Sequence, residues 1–164
     1  MKRMIKILLS SLLLVLLVTG CKDDSISIEK QKADSEGVKH CTRVGDLSGG
    51  TATMSYDIYY KGKYVTVLHS IETVVSTNNS ILDSYEKAYK SVFKAYEGIE
   101  HYTNKITRTS NSVTSETTIN YAEIDTKKLI TIEGREDNIF NDEDKVELED
   151  WLTFAKKYGA NCEE

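Results

Sequence analysis

Between Thr51 and Val75 the chain reads as two stretches of alternation joined by a glycine. In the first, Met54, Tyr56, Ile58 and Tyr60 fall on one face, with Thr53, Ser55 and Asp57 on the other. A period of two with one polar face is what a half-buried strand requires. Lys61-Gly62-Lys63 follows, and glycine supplies the positive φ of a tight hairpin. The second stretch, Tyr64 to Val75, sets Val65, Val67, Ile71 and Val75 on a single face. A β-hairpin is therefore the unit around which the remaining elements have to be arranged.

The period then changes. Ile81, Leu82, Tyr85, Ala88, Tyr89, Val92, Phe93, Tyr96 and Ile99 recur at spacings of three and four, one stripe of an amphipathic helix. Thr77 to Ser80 offer N-caps and Gly98 a left-handed C-cap, so the helix should run from about Ser80 to Glu97. Strands are expected at His101–Thr109 and Val113–Ile124, with Val113, Ile119 and Tyr121 inward and Thr114, Glu116, Thr118 and Asn120 wet. Leu129 to Ile132 fits either a short strand or a turn of helix. Asp144 and Glu147 have capping-box spacing and open a last helix over Lys145–Tyr158, with Leu148, Trp151, Leu152, Ala155 and Tyr158 as its stripe. The fold class is α+β: an antiparallel sheet of four to five strands with two helices, in the order β-β-α-β-β-(β)-α.

Ahead of this domain, residues 1–20 have the form of an export signal. Lys2, Arg3 and Lys6 precede an apolar run from Ile7 to Val18, which is shorter than the roughly 20 residues a spanning helix needs. Val18-Thr19-Gly20-Cys21 resembles the bacterial lipoprotein lipobox. That resemblance implies a diacylglycerol on the Cys21 sulfur and cleavage before it. Acyl chains contributing about 0.8 kcal/mol per buried CH₂ would then anchor the chain in the cell membrane, facing away from the cytoplasm. The polar stretch that follows, residues 21–40, reads as the lipidated Cys and a flexible tether, leaving 41–164 as one domain. Without residues 1–20, which carry three bases and no acids, 18 bases face 26 acids and the net charge moves from −5 to −8. Nucleic acid is excluded as a partner on that charge.

Cys41 and Cys162 bracket the folded region. In an exported chain a disulfide is the leading assignment, and it would close a loop worth about 4–5 kcal/mol in the chain-entropy model. Two free thiols, or a metal site using His40, are the alternatives. His40-Cys41 lacks the spacing of a zinc knuckle.

Tyr59-Tyr60-Lys61-Gly62-Lys63-Tyr64-Val65, the helix end Tyr96-Glu97-Gly98-Ile99 and the run from Lys105 to Leu129 resemble the YehR-like family of small bacterial lipoproteins. The similarity spans roughly Thr51 to Tyr158 in collinear order, behind the same kind of lipobox. It implies an exported α+β lipoprotein of uncharacterised function. The family supplies no catalytic or binding residues to transfer.

The sequence contains no nucleophile elbow, no phosphate-binding loop and no His-Glu-x-x-His. No enzyme activity and no cofactor are expected. His69, on a face with Val67 and Ile71, suits a ligand or pH-sensitive role, or a partly buried His bonded to a neighbour. The acidic loop 136–144 (Glu136, Asp137, Asn138, Asn141, Asp142, Glu143, Asp144) lacks the EF-hand glycine. It reads as helix-capping acids or as a weak cation site. Most of the ten tyrosines follow core periodicity; Tyr59 and Tyr64, beside Lys61 and Lys63, mark the hairpin as the surface-binding candidate. The expectation is a non-catalytic, membrane-anchored envelope lipoprotein with a small binding or structural domain. A small envelope hydrolase and a cation-handling module using loop 136–144 are the alternatives.

Overall fold

The computed structural model describes residues 24–134 and 139–163. Its centre is a six-stranded sheet in which every neighbouring pair is antiparallel: β1 (Gly37–Leu47), β2 (Gly50–Lys61), β3 (Tyr64–Ser76), β4 (Tyr102–Arg108), β5 (Ser112–Asn120) and β6 (Asn161–Cys162). The spatial order is β4-β5-β3-β2-β1-β6, an open sheet. Four helices accompany it: α1 (Asp24–Ala33), α2 (Asn79–Phe93), α3 (Thr126–Glu133) and α4 (Leu148–Lys157). The α+β class stands. The counts of four to five strands and two helices do not, because β1, β6, α1 and α3 add to them.

The hairpin forms where alternation placed it, and Gly62 takes φ 57° between β2 and β3. The inward face of β3 differs from the expected one. Tyr59 pairs with Val67 and Tyr60 with Val65, so Thr66 is an extra, unpaired residue. A β-bulge of this kind reverses the side-chain phase along its strand. Val65 therefore shares the helix-covered face with Leu68 and Val74, while Val67, His69, Ile71 and Val75 point to the opposite side. On the covered face, Ile58, Leu68 and Ile119 pack against Leu129, Trp151 and Leu152. Towards the other end of the sheet, Val74 and Val113 pack against Leu82 and Tyr89 of α2.

Helix α2 begins as expected, with the Asn78 side chain accepting from the Ser80 amide at 2.9 Å. It ends sooner: Lys94–Tyr96 form a 3₁₀ turn, and Val92 stays exposed. The ambiguous segment Leu129–Ile132 is helical, capped by the Asp125 side chain on the Lys128 amide. The last helix starts at Leu148 rather than Lys145. Asp144 sits at φ 57°, which rules it out as an N-cap with extended geometry. The backbone before the helix is instead drawn to β3: Val65 donates to the Val146 carbonyl and Leu148 to that of Lys63.

Residues 24–40, placed in a tether by the sequence, carry α1 and the start of β1. Ile28 is only 6 % exposed. Ser35 Oγ lies 2.8 Å from Thr66 Oγ1, and the Glu36 amide donates to Tyr60. Helix α1 thus covers part of the face that the bulge leaves to Val67. Strand β1 escapes a hydrophobic reading because Val38 and Val44 lie on the outer, exposed face and Cys41 alone is buried.

A disulfide joins Cys41 and Cys162 across 121 residues, the two being register partners of β1 and β6. The pair accounts for β6, a two-residue strand with no hydrophobic signal of its own. Replacing both cysteines with serine should cost about 2–5 kcal/mol, seen as an earlier urea midpoint with little change of native circular dichroism. A reductant should move the wild type the same way and leave the double variant unmoved.

Candidate ligand-binding site

Of the four hairpin residues singled out, the structure keeps three together. Tyr59 lies apart, its ring under the Lys32 ammonium of α1 at 5.4 Å. Lys61, Lys63 and Tyr64 meet the segment before α4. Lys63 Nζ donates to Glu147 Oε1 at 2.8 Å, the Tyr64 hydroxyl to Glu143 Oε2 at 3.3 Å, and Lys145 Nζ lies 4.7 Å from the Tyr64 ring centre. The hydrogen bond from Lys145 holds Glu143 below its ordinary range, and that from Lys63 does the same for Glu147. Behind this rim a cavity of about 310 Å³ is walled by Val65, Tyr121, Phe140 and Val146.

Glu136, Asp137 and Asn138 of the acidic loop lie outside the described residues, as do Cys21 and the signal segment. In the rest of the loop, the Asn141 side chain accepts from the amides of Glu143 and Lys145. Among the described residues no three His, Cys, Asp or Glu side chains are placed to share a metal ion. His69 has carboxylate neighbours on the outer face: Asp57 at 3.6 Å and Glu116 at 3.1 Å. Asp57 also holds His40 at 2.7 Å, so one charged row crosses β1, β2, β3 and β5.

A second site lies on the other side of Tyr121. A cavity of about 430 Å³ opens between the sheet, the end of α3 and the side of α4, a size that accommodates a small ligand. Its floor is Leu68 and Ile119, and Ile139 closes one side. Five aromatic rings complete it: Tyr56, Tyr96, Tyr121, Trp151 and Phe154. Tyr56 and Trp151 meet edge to face at 5.2 Å, an arrangement that fixes both rings. Phe154, 39 % exposed, carries the wall to the surface.

One ionisable carboxyl enters this apolar space. Glu133, the last residue of α3, accepts from the Tyr96 hydroxyl at 3.3 Å. Burial pushes its pKa up, against that hydrogen bond. Burial, then the Glu133 charge, pushes Tyr96 up to about 12. Burial likewise drives the Tyr121 hydroxyl far above its ordinary value. The phenols therefore stay neutral and act as hydrogen-bonding walls. Among the described residues, those lining the cavity are aromatic or aliphatic apart from Glu133.

The sequence reading missed this site for identifiable reasons. Tyr56, Tyr96 and Trp151 obey core periodicity, and each does contact the core. Glu133 had no local signal, because its depth depends on how α3 docks.

An open antiparallel sheet with α2, α3 and α4 over one face, a disulfide at its edge and an aromatic cavity beneath its helices defines an α+β domain. The architecture recurs in the solution structure of the Escherichia coli YehR protein, which matches at 18 % identity with a TM-score of 0.54 over 77 % of this chain and 91 % of that one. A protein from Streptococcus pneumoniae TIGR4 aligns at 16 % identity over 77 % of this chain and 84 % of its own, with a TM-score of 0.47. No protein-family model and no curated protein matches the sequence. The first likeness establishes a YehR-like fold.

Because the folded Glu133 carboxyl titrates above the ordinary value of 4.5, protonation favours the folded state. That stabilisation is present in acid and is lost as pH rises through the folded pKa. Glu133→Gln keeps an acceptor for Tyr96 and removes the loss. The variant should melt above the wild type at pH 7, and the gap should close on titration below pH 4.5. Melting curves of the two proteins across that range test the sign.

Proposed function

We propose that this chain is a lipoprotein of the YehR-like kind, held at the cell envelope by Cys21, whose domain binds a small ligand without transforming it. The observation that carries the binding role is the aromatic cavity of about 430 Å³, lined among the described residues by five rings, three aliphatic side chains and Glu133. The anchoring role rests on the lipobox and is supported by a disulfide suited to an oxidising compartment. A hydrolase would need an attacking group beside its base, and the described residues of the lining offer aromatic and aliphatic side chains and the Glu133 carboxyl.

The two halves of the reading are separable. Palmitate should label the wild type and not Cys21→Ser; equal labelling would remove the membrane anchor. Trp151 is the chain's one tryptophan and lines the cavity, so its emission reports occupancy directly. In a screen of small metabolites and cell-wall fragments, a true ligand should shift that emission saturably. At a hundred times its Kd it should also add about 2.7 kcal/mol of stability. A ligand that raises the melting temperature while leaving Trp151 emission unchanged would place binding elsewhere.

A further inference from the structure

We propose that the ligand of the aromatic cavity is a small organic cation, with Glu133 as its counter-charge; this deepens the binding role above and rests on it. Three independent features point the same way. The first is the wall: Tyr56, Tyr96, Tyr121, Trp151 and Phe154 surround one space. Aromatic faces carry negative potential, and rings around an ammonium attract it most strongly where water is excluded. An apolar ligand would use the same rings but would have no use for a carboxylate.

The second feature is that carboxylate. Glu133 faces the cavity with the Tyr96 hydroxyl as its hydrogen-bond donor. Among the described residues no Lys or Arg forms an ion pair with it. A half-buried carboxylate facing aromatic rings is a place where a cation brought from outside is stabilised. The third is the position of Glu133 at the C-terminal end of α3, where the helix dipole adds further negative potential. An anionic ligand would meet the carboxylate and this helix end together. The net charge of −8 that remains without residues 1–20 favours the approach of cations over longer range.

A trialkylammonium head fits this description: it is bulky enough to touch several rings, singly charged and weakly hydrated. Such a group occurs on free amines and on phosphocholine head groups, which share the recognised moiety. The test titrates the full-length protein, in a non-ionic maltoside detergent, with choline, phosphocholine and 3,3-dimethylbutan-1-ol, following Trp151 emission. The alcohol has the shape of choline and no charge. Choline should bind with an affinity about tenfold or more above that of the alcohol. Glu133→Gln, with circular dichroism showing an intact fold, should abolish that preference, and Phe154→Ala should weaken choline binding without reversing it. Phosphocholine binding as tightly as choline would identify a head group as the source; much weaker binding would identify a free amine. Equal affinity for choline and the alcohol, unchanged in Glu133→Gln, would overturn the cation and leave the cavity as an apolar site. Silence with all three probes would overturn the cation and count against the cavity reading as well.

Discussion

The extra residue in β3 opposite Tyr59 and Tyr60 decides which side of the sheet becomes the core. Before the bulge, Val65 faces the helices; after it, Leu68 and Val74 do. Had the strand alternated without a break, Val65 and Val67 would point the same way, and the helices would have to choose between Val65 and Leu68. The inserted Thr66 removes that conflict. It also leaves Val67 on the reverse face, where α1 lies and where Thr66 meets Ser35. One irregularity thus allows both faces of the sheet to be covered at the same end. The aromatic cavity depends on it, since Leu68 forms its floor.

At the cavity, burial and charge are set against each other in an instructive way. Trp151 is buried in the core and Tyr121 packs against it. Glu133 lies at a helix end, close enough to the edge to ionise and deep enough for ionisation to be costly. Its hydrogen bond to Tyr96 offsets only part of that cost. The hairpin rim shows the opposite balance. Lys63, Glu147, Glu143 and Lys145 satisfy one another in the open, where solvent screens ion pairs and leaves them little net effect. The rim's charges are matched by one another, whereas the cavity's carboxylate is met by the neutral Tyr96 hydroxyl.

How much of this could be read from the sequence follows from how local each determinant is. The β2–β3 hairpin, α2 and the stripe of α4 are written in periodicity, because solvent sits on one side of each and core on the other. Strand β1 is held by its backbone ladder and by Cys41, and its valines face outward, so its pattern carries no inward signal. Strand β6 exists because a bonded cysteine brings two residues alongside β1. The start of α4 was misplaced because Asp144 and Glu147 have the right spacing for a cap, yet the backbone between them pairs with β3. Tertiary pairing outweighed a local motif there, as it did at the bulge. The cavity was the least legible feature, since its rings look like core in sequence and become a wall only when the helix above leaves space.

The disulfide bears on that wall. Cys162 follows α4 by a short turn in which Ala160 donates to Ala155, and Glu163 donates to His40 beside the bonded Cys41. The covalent bond therefore ties the C-terminal end of α4 to β1, while the bonds from Leu148 to Lys63 and from Val65 to Val146 tie its beginning to β3. Trp151 and Phe154 project into the cavity from a helix tied at both ends. Rings held in place need not be ordered when a ligand arrives, and that ordering cost is what commonly erodes affinity in small sites. The bond that pins one end persists only under oxidising conditions. Completion of the cavity wall by such a bond agrees with the proposed anchoring outside the cytoplasm.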